Sequence, residues 1–381
     1  MKSMNSRHLL YFIPAVVIVP SKTYQTLFTK YGQRDSWIAM TIALVIVYAF
    51  MVFIIRVCKK KNCFDMVDIY RGAFGKVIGN ILLVFFYMTV FLTLLETTSV
   101  EAGAMKYQFI NFNPYWGFLL LSVVAGLYII LLGYRSVMVV VSIGIIFISI
   151  SGVSLAVQTH KFKDYTRLLP IMENGFNKDF IVCVIMLVGS LASLVILVPL
   201  FKDVRDKKNL MRMNNIGYAF SAQIHIFAMT GSLATFEPTL ANTYPFTKLT
   251  QTERIMHFGF FETGELFVML QIVGGWIVRF VTAFFVLDQM LRYTSVKKRG
   301  LNIFISVLVF AVSYLVGRNL FNLFKYLNIY VYISLVNFFI IPLLTFVIFA
   351  FRGKRVQNPN TEDVNTVNDG EPVTNSAKTS N

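Results

Sequence analysis

The amino-acid sequence predicts an all-α integral membrane protein with about ten transmembrane helices. Of the 381 residues, 56% are hydrophobic and 14% are charged, which is more apolar surface than two soluble domains could bury. The charged residues form short runs between long apolar stretches. Most of these stretches reach the roughly 20 residues that a helix needs to cross the hydrocarbon core of a bilayer.

The apolar stretches fall into ten segments, followed by a polar tail. Residues 352–381 are rich in Asn, Thr, Ser, Asp and Glu, a composition that predicts a disordered cytoplasmic tail. The transmembrane permease-like domain is therefore expected to cover residues 7–351. The predicted spans are 9–28, 37–57, 77–100, 115–134, 137–157, 180–201, 211–235, 263–291, 300–317 and 329–351.

The basic residues predict that both ends of the chain are cytoplasmic. With the N-terminus placed inside, 22 Lys and Arg residues fall on the inner side and 11 on the outer side. Cytoplasmic loops carry such an excess, and Arg352, Lys354 and Arg355 are expected to meet anionic membrane lipids. The net charge of +16 follows from this bias, so we expect no binding to nucleic acid.

The residue types used by enzymes do not form a recognisable site. The four histidines are not paired at metal-ligand spacing, and the three cysteines do not form a zinc pattern. No glycine-rich phosphate loop precedes a lysine. We therefore expect no enzyme activity, no catalytic residue, no metal and no cofactor.

Helix-breaking residues indicate where a small molecule could bind. The ten spans divide into two sets of five, and the first span of each set is interrupted. Span one contains Pro14 and Pro20, whereas span six contains the segment 189–193 and then Pro199. Matched interruptions of this kind are typical of inverted-repeat transporters, whose broken helices bind solutes near the middle of the membrane. The alternative is that these residues only kink and pack the helices.

Charged residues inside the spans are a second indication. Buried charges are costly in a membrane and usually face a cavity or a partner. Glu96 in span three and Arg279 in span eight are therefore candidates for an ion pair or a relay. Lys22 and Asp288 lie near span ends, where they could reach the membrane surface instead.

Several short motifs resemble the spore germination permease family, the B subunits of Ger-type germinant receptors. The resemblance covers most of the chain, and the order and spacing of its motifs are more specific than any single one. Two departures are the lack of a glycine in the interrupted part of span one and Asn113-Pro114 where the family has Thr-Pro. The motifs are Arg7, Gly32-Gln33-Arg34-Asp35-Ser36-Trp37, Leu168-Leu169-Pro170 with Glu173 and Gly175, Pro199-Leu200 with the charged loop 202–208, Thr243-Tyr244-Pro245, and Gly275-Trp276 with Arg279.

The resemblance implies a fold, a role and partners. The family belongs to the amino acid–polyamine–organocation superfamily, so a leucine-transporter-like fold of five plus five inverted helices, with helices 1 and 6 broken, is expected. The implied role is sensing of a small germinant, commonly an amino acid, to trigger spore germination. The implied partners are a membrane-embedded A subunit and a lipoprotein C subunit in the inner membrane of the bacterial spore.

Three hypotheses remain open at this stage. The chain is a germinant-sensing subunit, a proton- or sodium-coupled amino acid transporter, or a structural membrane subunit that binds no ligand. The missing glycine in span one motivates the third hypothesis. The candidate ligand-binding residues are Val19, Pro20, Ser21, Thr93, Glu96, Gly189, Ser190, Ser193 and Arg279.

Overall fold

A computed structural model describes residues 4–110, 112–173, 175–253, 255, 263–291 and 298–352. Within these residues the chain is helical, and Met4 and Val204 form an isolated β-bridge. The tail predicted to be disordered begins at Arg352, the last described residue, so its remainder lies outside the described residues.

Within the described residues, the first half of the chain contains seven α-helices. Asn62, at the end of the third, has a φ angle of 51°, a left-handed conformation that ends the helix. Residues Met105–Phe109 extend the fifth helix as a π-helix. The seven helices are α1 (Leu9–Thr23), α2 (Thr26–Gly32), α3 (Ser36–Lys61), α4 (Met66–Phe74), α5 (Lys76–Ala104), α6 (Tyr115–Leu132) and α7 (Tyr134–Gln158).

The second half contains eight further α-helices in its described part. A 3-10 segment, Ala192–Asp203, continues the first of them, and a π-helical segment, Leu335–Ile340, joins the last two. The eight helices are α8 (Lys178–Leu191), α9 (Leu210–Thr235), α10 (Pro238–Ala241), α11 (Thr247–Glu253), α12 (Thr263–Leu291), α13 (Lys298–Gly317), α14 (Leu320–Ser334) and α15 (Ile341–Arg352).

Eight helical segments in the described residues are long and apolar enough to cross a membrane. They correspond to eight of the ten predicted spans, with α2 and α3 forming one continuous segment, Thr26–Lys61. The remaining two predicted spans are α1, which has 15 residues, and α9, which has 26 residues but is less apolar. Helix α1 is an interior element, since it packs against α9 and α12 and exposes almost none of its residues, whereas α9 exposes Ile216, Phe220 and Phe227 on one face.

Helix α12 lies at the centre of the bundle. It packs against α7, α5 and α1, and its Trp276 and Arg279 are among the largest fully buried side chains. The outward faces of α6 and α7 instead expose large apolar side chains, as lipid-facing helices do. The bundle therefore positions α1, α5, α8 and α12 around one interior region.

The N-terminal end of the chain is fixed to the end of span six. The Met4 amide donates to the Asp203 carbonyl at 2.9 Å, and the Arg205 amide donates to the Met4 carbonyl at 3.0 Å. These bonds hold the segment before α1 beside the segment that leaves the 3-10 helix.

Candidate functional site

Helix 1 of the predicted ten is broken between α1 and α2. Helix α1 runs through Pro14 and Pro20 and ends at Thr23, and Tyr24 adopts non-helical angles of φ −109° and ψ 49°. The helix resumes at Thr26. The break therefore lies at Tyr24–Gln25, shortly after Pro20, and the helix tolerates both prolines, each of which removes only a single backbone donor.

Helix 6 changes its geometry without leaving the helical path. The α-helix ends at Leu191, and residues Ala192–Asp203 continue as a 3-10 helix. A 3-10 run of 12 residues is unusually long, since such runs seldom exceed about four residues. The change falls within the predicted segment 189–193 and marks a point at which the helix is under strain.

Glu96 and Arg279 form a fully buried ion pair between α5 and α12. The Arg279 Nη2 and Nε atoms donate to Glu96 Oε2 at 2.7 and 3.2 Å. The two side chains are 0% and 1% exposed, so neither charge reaches solvent. The sequence-based expectation that these residues pair is confirmed by this geometry.

Two further helices contact the ion pair through hydroxyl groups. The Tyr24 hydroxyl, at the break of helix 1, donates to Glu96 Oε1 at 2.7 Å. Arg279 Nη1 donates to the Ser193 Oγ of the 3-10 segment at 3.3 Å. The ion pair therefore joins the break in helix 1 to α5, to the 3-10 segment of helix 6 and to α12.

Several buried polar atoms around the break have no hydrogen-bond partner within the described residues. They are Ser21 Oγ, both polar atoms of the Gln25 side chain, and Trp276 Nε1. The rings of Trp276 and Tyr24 are stacked with centroids 6.4 Å apart, which places all of these residues at the break. A buried polar atom without a partner costs about 1–3 kcal/mol. Such a group is the feature expected where a small polar molecule or water binds.

The structure brings together only part of the predicted site. Glu96, Ser193 and Arg279 are in contact, and Thr93 joins the group through the Tyr330 hydroxyl at 2.9 Å. Ser21 lies at the adjacent break. These positions form a continuous polar interior.

The other predicted residues have packing contacts. A Cβ on Gly275 would meet Val19 at 2.7 Å, whereas the Pro20 and Ser190 carbonyls accept bonds within their own helices. Gly189 packs on α14, because a Cβ there would lie 2.5 Å from the Val331 carbonyl oxygen and its own carbonyl accepts from Ser334 Oγ at 2.7 Å. The structure therefore does not bring Gly189 to the polar interior.

Four residues of this region are not among those predicted from the sequence: Tyr24, Gln25, Trp276 and Tyr330. A signal existed for the first two, since polar side chains directly after Pro20-Ser21-Lys22 lie where a broken helix would expose them. Trp276 stood in a family motif but was not assigned to the site. Tyr330 carries no local signal, because it occupies an ordinary apolar helix and reaches Thr93 only through the packing of α14 on α5.

Basic side chains cluster near the same end of helix 1, which the sequence predicts to face outward. The amine nitrogens of Lys163 and Lys248 both lie within 4 Å of the position of a Cβ on Gly231. Burial and the nearby charges of Lys22 and Lys163 lower the pKa of Lys248 to about 7. Burial also lowers the pKa of Lys163. No ion pair in the described residues neutralises these amines, and the lowered pKa of Lys248 instead reduces its positive charge near neutral pH.

Replacing Tyr24 by phenylalanine tests the link between the break and the ion pair. Tyr24→Phe leaves Glu96 Oε1 without its donor, and we expect a loss of about 1.5–3 kcal/mol in unfolding free energy. Tyr326→Phe is the matched control, since its hydroxyl donates to the uncharged Leu92 carbonyl at 2.8 Å. The control should lose about 0.5–1.5 kcal/mol. Equal losses in denaturation of the two purified variants would contradict the proposed link.

Comparisons with known proteins agree with one another. A family model described as "spore germination protein" matches residues 16–319. No curated protein sequence matches the chain. Two similar solved structures are a Na⁺-coupled sialic acid symporter in a substrate-bound outward-open state and MhsT in complex with L-phenylalanine.

The structural matches are extensive although the sequences are distant. The symporter is 11% identical, with a TM-score of 0.57 over 87% of this chain and 74% of that chain. MhsT is 9% identical, with a TM-score of 0.64 over 90% of this chain and 97% of that chain. At these identities the matches show the fold alone, which is the leucine-transporter fold with its five-plus-five arrangement of helices.

Proposed function

Because this chain belongs to the spore germination permease family, we infer that it is the B subunit of a germinant receptor. It senses a small nutrient, an amino acid, and this triggers germination. The chain is a membrane permease-like protein by family and fold. The role as a receptor subunit and the amino-acid ligand are the inferred part. The inferred location is the inner membrane of the bacterial spore, with both termini cytoplasmic.

The observation that carries the inference is the group of unpartnered polar atoms at the break in helix 1. Ser21, Gln25 and Trp276 offer a hydroxyl, an amide and an indole N–H in a buried setting. These groups suit the charged ends of an amino acid, which otherwise lose their hydration in the membrane interior. Single buried polar atoms without a partner also occur elsewhere in the described residues, for example Tyr70 Oη and Ser306 Oγ, whereas three residues with such atoms lie together at this break.

The ion pair supplies a route from the ligand to the rest of the bundle. Tyr24 lies between the unpartnered atoms and Glu96, and Arg279 continues to Ser193 of helix 6. A ligand that binds the break more tightly in one arrangement of these helices shifts the population toward that arrangement. The signal would then pass to the A subunit and the lipoprotein C subunit, which we propose as partners.

The two other hypotheses make different predictions. A proton- or sodium-coupled transporter would accumulate labelled amino acid in reconstituted vesicles when an ion gradient is imposed, whereas a receptor would not. A structural subunit would show no stabilisation by any amino acid, because only a ligand that binds the folded state stabilises it.

The test is germination of spores that carry variants at the break. Ser21→Ala and Gln25→Leu each remove partners for a bound amino acid, and we expect the half-maximal germinant concentration to rise at least about tenfold, which corresponds to about 1.4 kcal/mol. Ser149→Ala is the control, because its hydroxyl only bonds the Ile145 carbonyl of its own helix, at 2.6 Å. Unchanged germinant dependence in both break variants, at normal abundance in the membrane, would overturn the proposed site.

A further inference from the structure

A cleft of about 440 Å³ lies at the predicted outer end of the bundle, separate from the buried ion pair. Its walls come from the end of α2, the start of α3, the segment before α8 and the residues after α9. Its volume is within the range of about 300–1,000 Å³ typical of small-molecule sites. Two of the sequence motifs, Gly32-Gln33-Arg34-Asp35 and Pro170 with Glu173 and Gly175, meet in this cleft although about 140 residues separate them.

The cleft presents both signs of charge. Arg34 and Arg167 supply guanidinium groups, and Glu173 and Glu237 supply carboxylates. Arg34 Nε is buried and has no acceptor within the described residues. Glu237 is exposed and forms no ion pair there. The cleft therefore has a guanidinium donor that lacks an acceptor and a carboxylate that lacks a cation.

The ion pair already present in the cleft can be replaced by contacts with a ligand. Arg34 Nη1 and Glu173 Oε2 are 3.4 Å apart, and their side chains are 34% and 61% exposed. Exposed pairs of this kind contribute only about 0–1 kcal/mol. A ligand carboxylate can bind Arg34 through two parallel hydrogen bonds, which is the stronger geometry. The ligand ammonium group can then pair with the carboxylates of Glu173 and Glu237.

The cleft also contacts both interrupted helices. Gly32 packs so tightly that a Cβ there would lie 2.7 Å from Cys183 Sγ in α8. Gln33 follows with a φ angle of 45° and a ψ angle of −130°, a strained conformation for a residue with a side chain. The Met172 amide donates to Asp35 Oδ1 at 3.0 Å and ties the loop before α8 to the start of α3. A molecule bound here spans elements that must shift when either helix moves.

We propose that this cleft is an outer binding site for a zwitterionic α-amino acid, whose carboxylate binds Arg34 and whose ammonium group binds Glu173 and Glu237. The proposal rests on the proposed function for the identity of the ligand class. It adds a first binding site that the amino acid occupies before it reaches the break in helix 1.

The test introduces a thiol at the cleft. Thr239→Cys places it in the lining, and the native Cys58, Cys63 and Cys183 are buried. A membrane-impermeant maleimide is applied to the full receptor in native membranes with each common L-amino acid. We expect at least one amino acid to slow modification about tenfold at roughly ten times its Kd, since only the empty cleft reacts. Its amide, which lacks the carboxylate, and its deaminated acid, which lacks the ammonium group, should not protect.

Matched variants assign the protection to the cleft. Thr243→Cys is exposed on the same side but outside the lining, and its modification should not respond to the amino acid. Added to Thr239→Cys, Glu237→Gln should raise the protecting concentration about tenfold, which corresponds to about 1.4 kcal/mol. Asp179→Asn makes the same charge change just outside the lining and should leave that concentration unchanged.

Each remaining outcome decides for or against the proposal. Absence of protection by every amino acid overturns the outer site, and if the spores still germinate with an amino acid the proposed function stands. Protection without any germination response supports the outer site and overturns the proposed function. A thiol that is unreactive in the assembled receptor but reactive in the isolated chain indicates that a partner protein covers the cleft, which overturns the proposal.

Discussion

Glu96→Ala is expected to destabilise the protein by about 3–5 kcal/mol, since removal of one partner leaves the other charge buried and unpaired. Arg279 is 1% exposed and would keep only neutral hydrogen-bond partners among the described residues, which include the hydroxyl groups of Ser193 and Tyr330. Thermal and chemical unfolding of the purified protein in detergent measures the loss. Spores that carry the variant should also lose their nutrient response.

Two controls separate the ion pair from a general effect of substitution. Glu173→Ala breaks the exposed pair with Arg34 and should cost no more than about 1 kcal/mol. The double variant Glu96→Leu with Arg279→Met removes both charges and should recover most of the lost stability, because apolar residues of similar volume often replace a buried pair without cost. A double variant that is less stable than Glu96→Ala would show that the destabilisation does not come from the unpaired arginine.

Gly189→Ala is also expected to destabilise the protein, because it forces α8 away from α14. A Cβ at this position would lie 2.5 Å from the Val331 carbonyl oxygen, and a backbone atom cannot rotate aside. Overpacking of this kind costs about 1–3 kcal/mol. The Ser334 hydroxyl, which donates to the Gly189 carbonyl at 2.7 Å, would lose its contact as well.

Gly274→Ala is the matched control for this prediction. A Cβ there would meet only Ile148, at 3.8 Å, which is ordinary van der Waals contact. The substitution should be neutral or stabilising by about 0.5–1 kcal/mol, because alanine favours the helix more than glycine does. If denaturation shows the same stability for both alanine variants, the close approach of α8 and α14 is wrong.

Most of the fold could be predicted from the sequence because an apolar stretch of about 20 residues forms a helix when it crosses a membrane. Predicted span 263–291 coincides with α12, and 211–235 and 300–317 differ from α9 and α13 by at most two residues at either end. The pairing of Glu96 with Arg279 followed from the cost of an unpaired charge in a membrane. Such rules act on each segment by itself, so they need no knowledge of neighbouring helices.

The contacts that depend on neighbouring helices could not be predicted. At the break, the Tyr24 hydroxyl donates to Glu96, 72 residues away, and no local sequence pattern encodes that bond. The sequence predicts a helix interruption at Gly189. In the structure this glycine instead allows the close approach of Val331, which lies far downstream in the sequence. Pro14 and Pro20 predicted the interruption of span one, whereas the helix tolerates both prolines and ends three residues after the second.

The β-bridge between Met4 and Val204 has a mechanical consequence. It fastens the base of α1 to the exit of the 3-10 segment by backbone hydrogen bonds, whereas at the other end the two interrupted helices are held by the packing of α2 on α8. Any swing of α1 must pull residues 203–205 with it or break two backbone hydrogen bonds. A movement of α1 is therefore transmitted through these bonds to residues 203–205, at the predicted cytoplasmic end of span six.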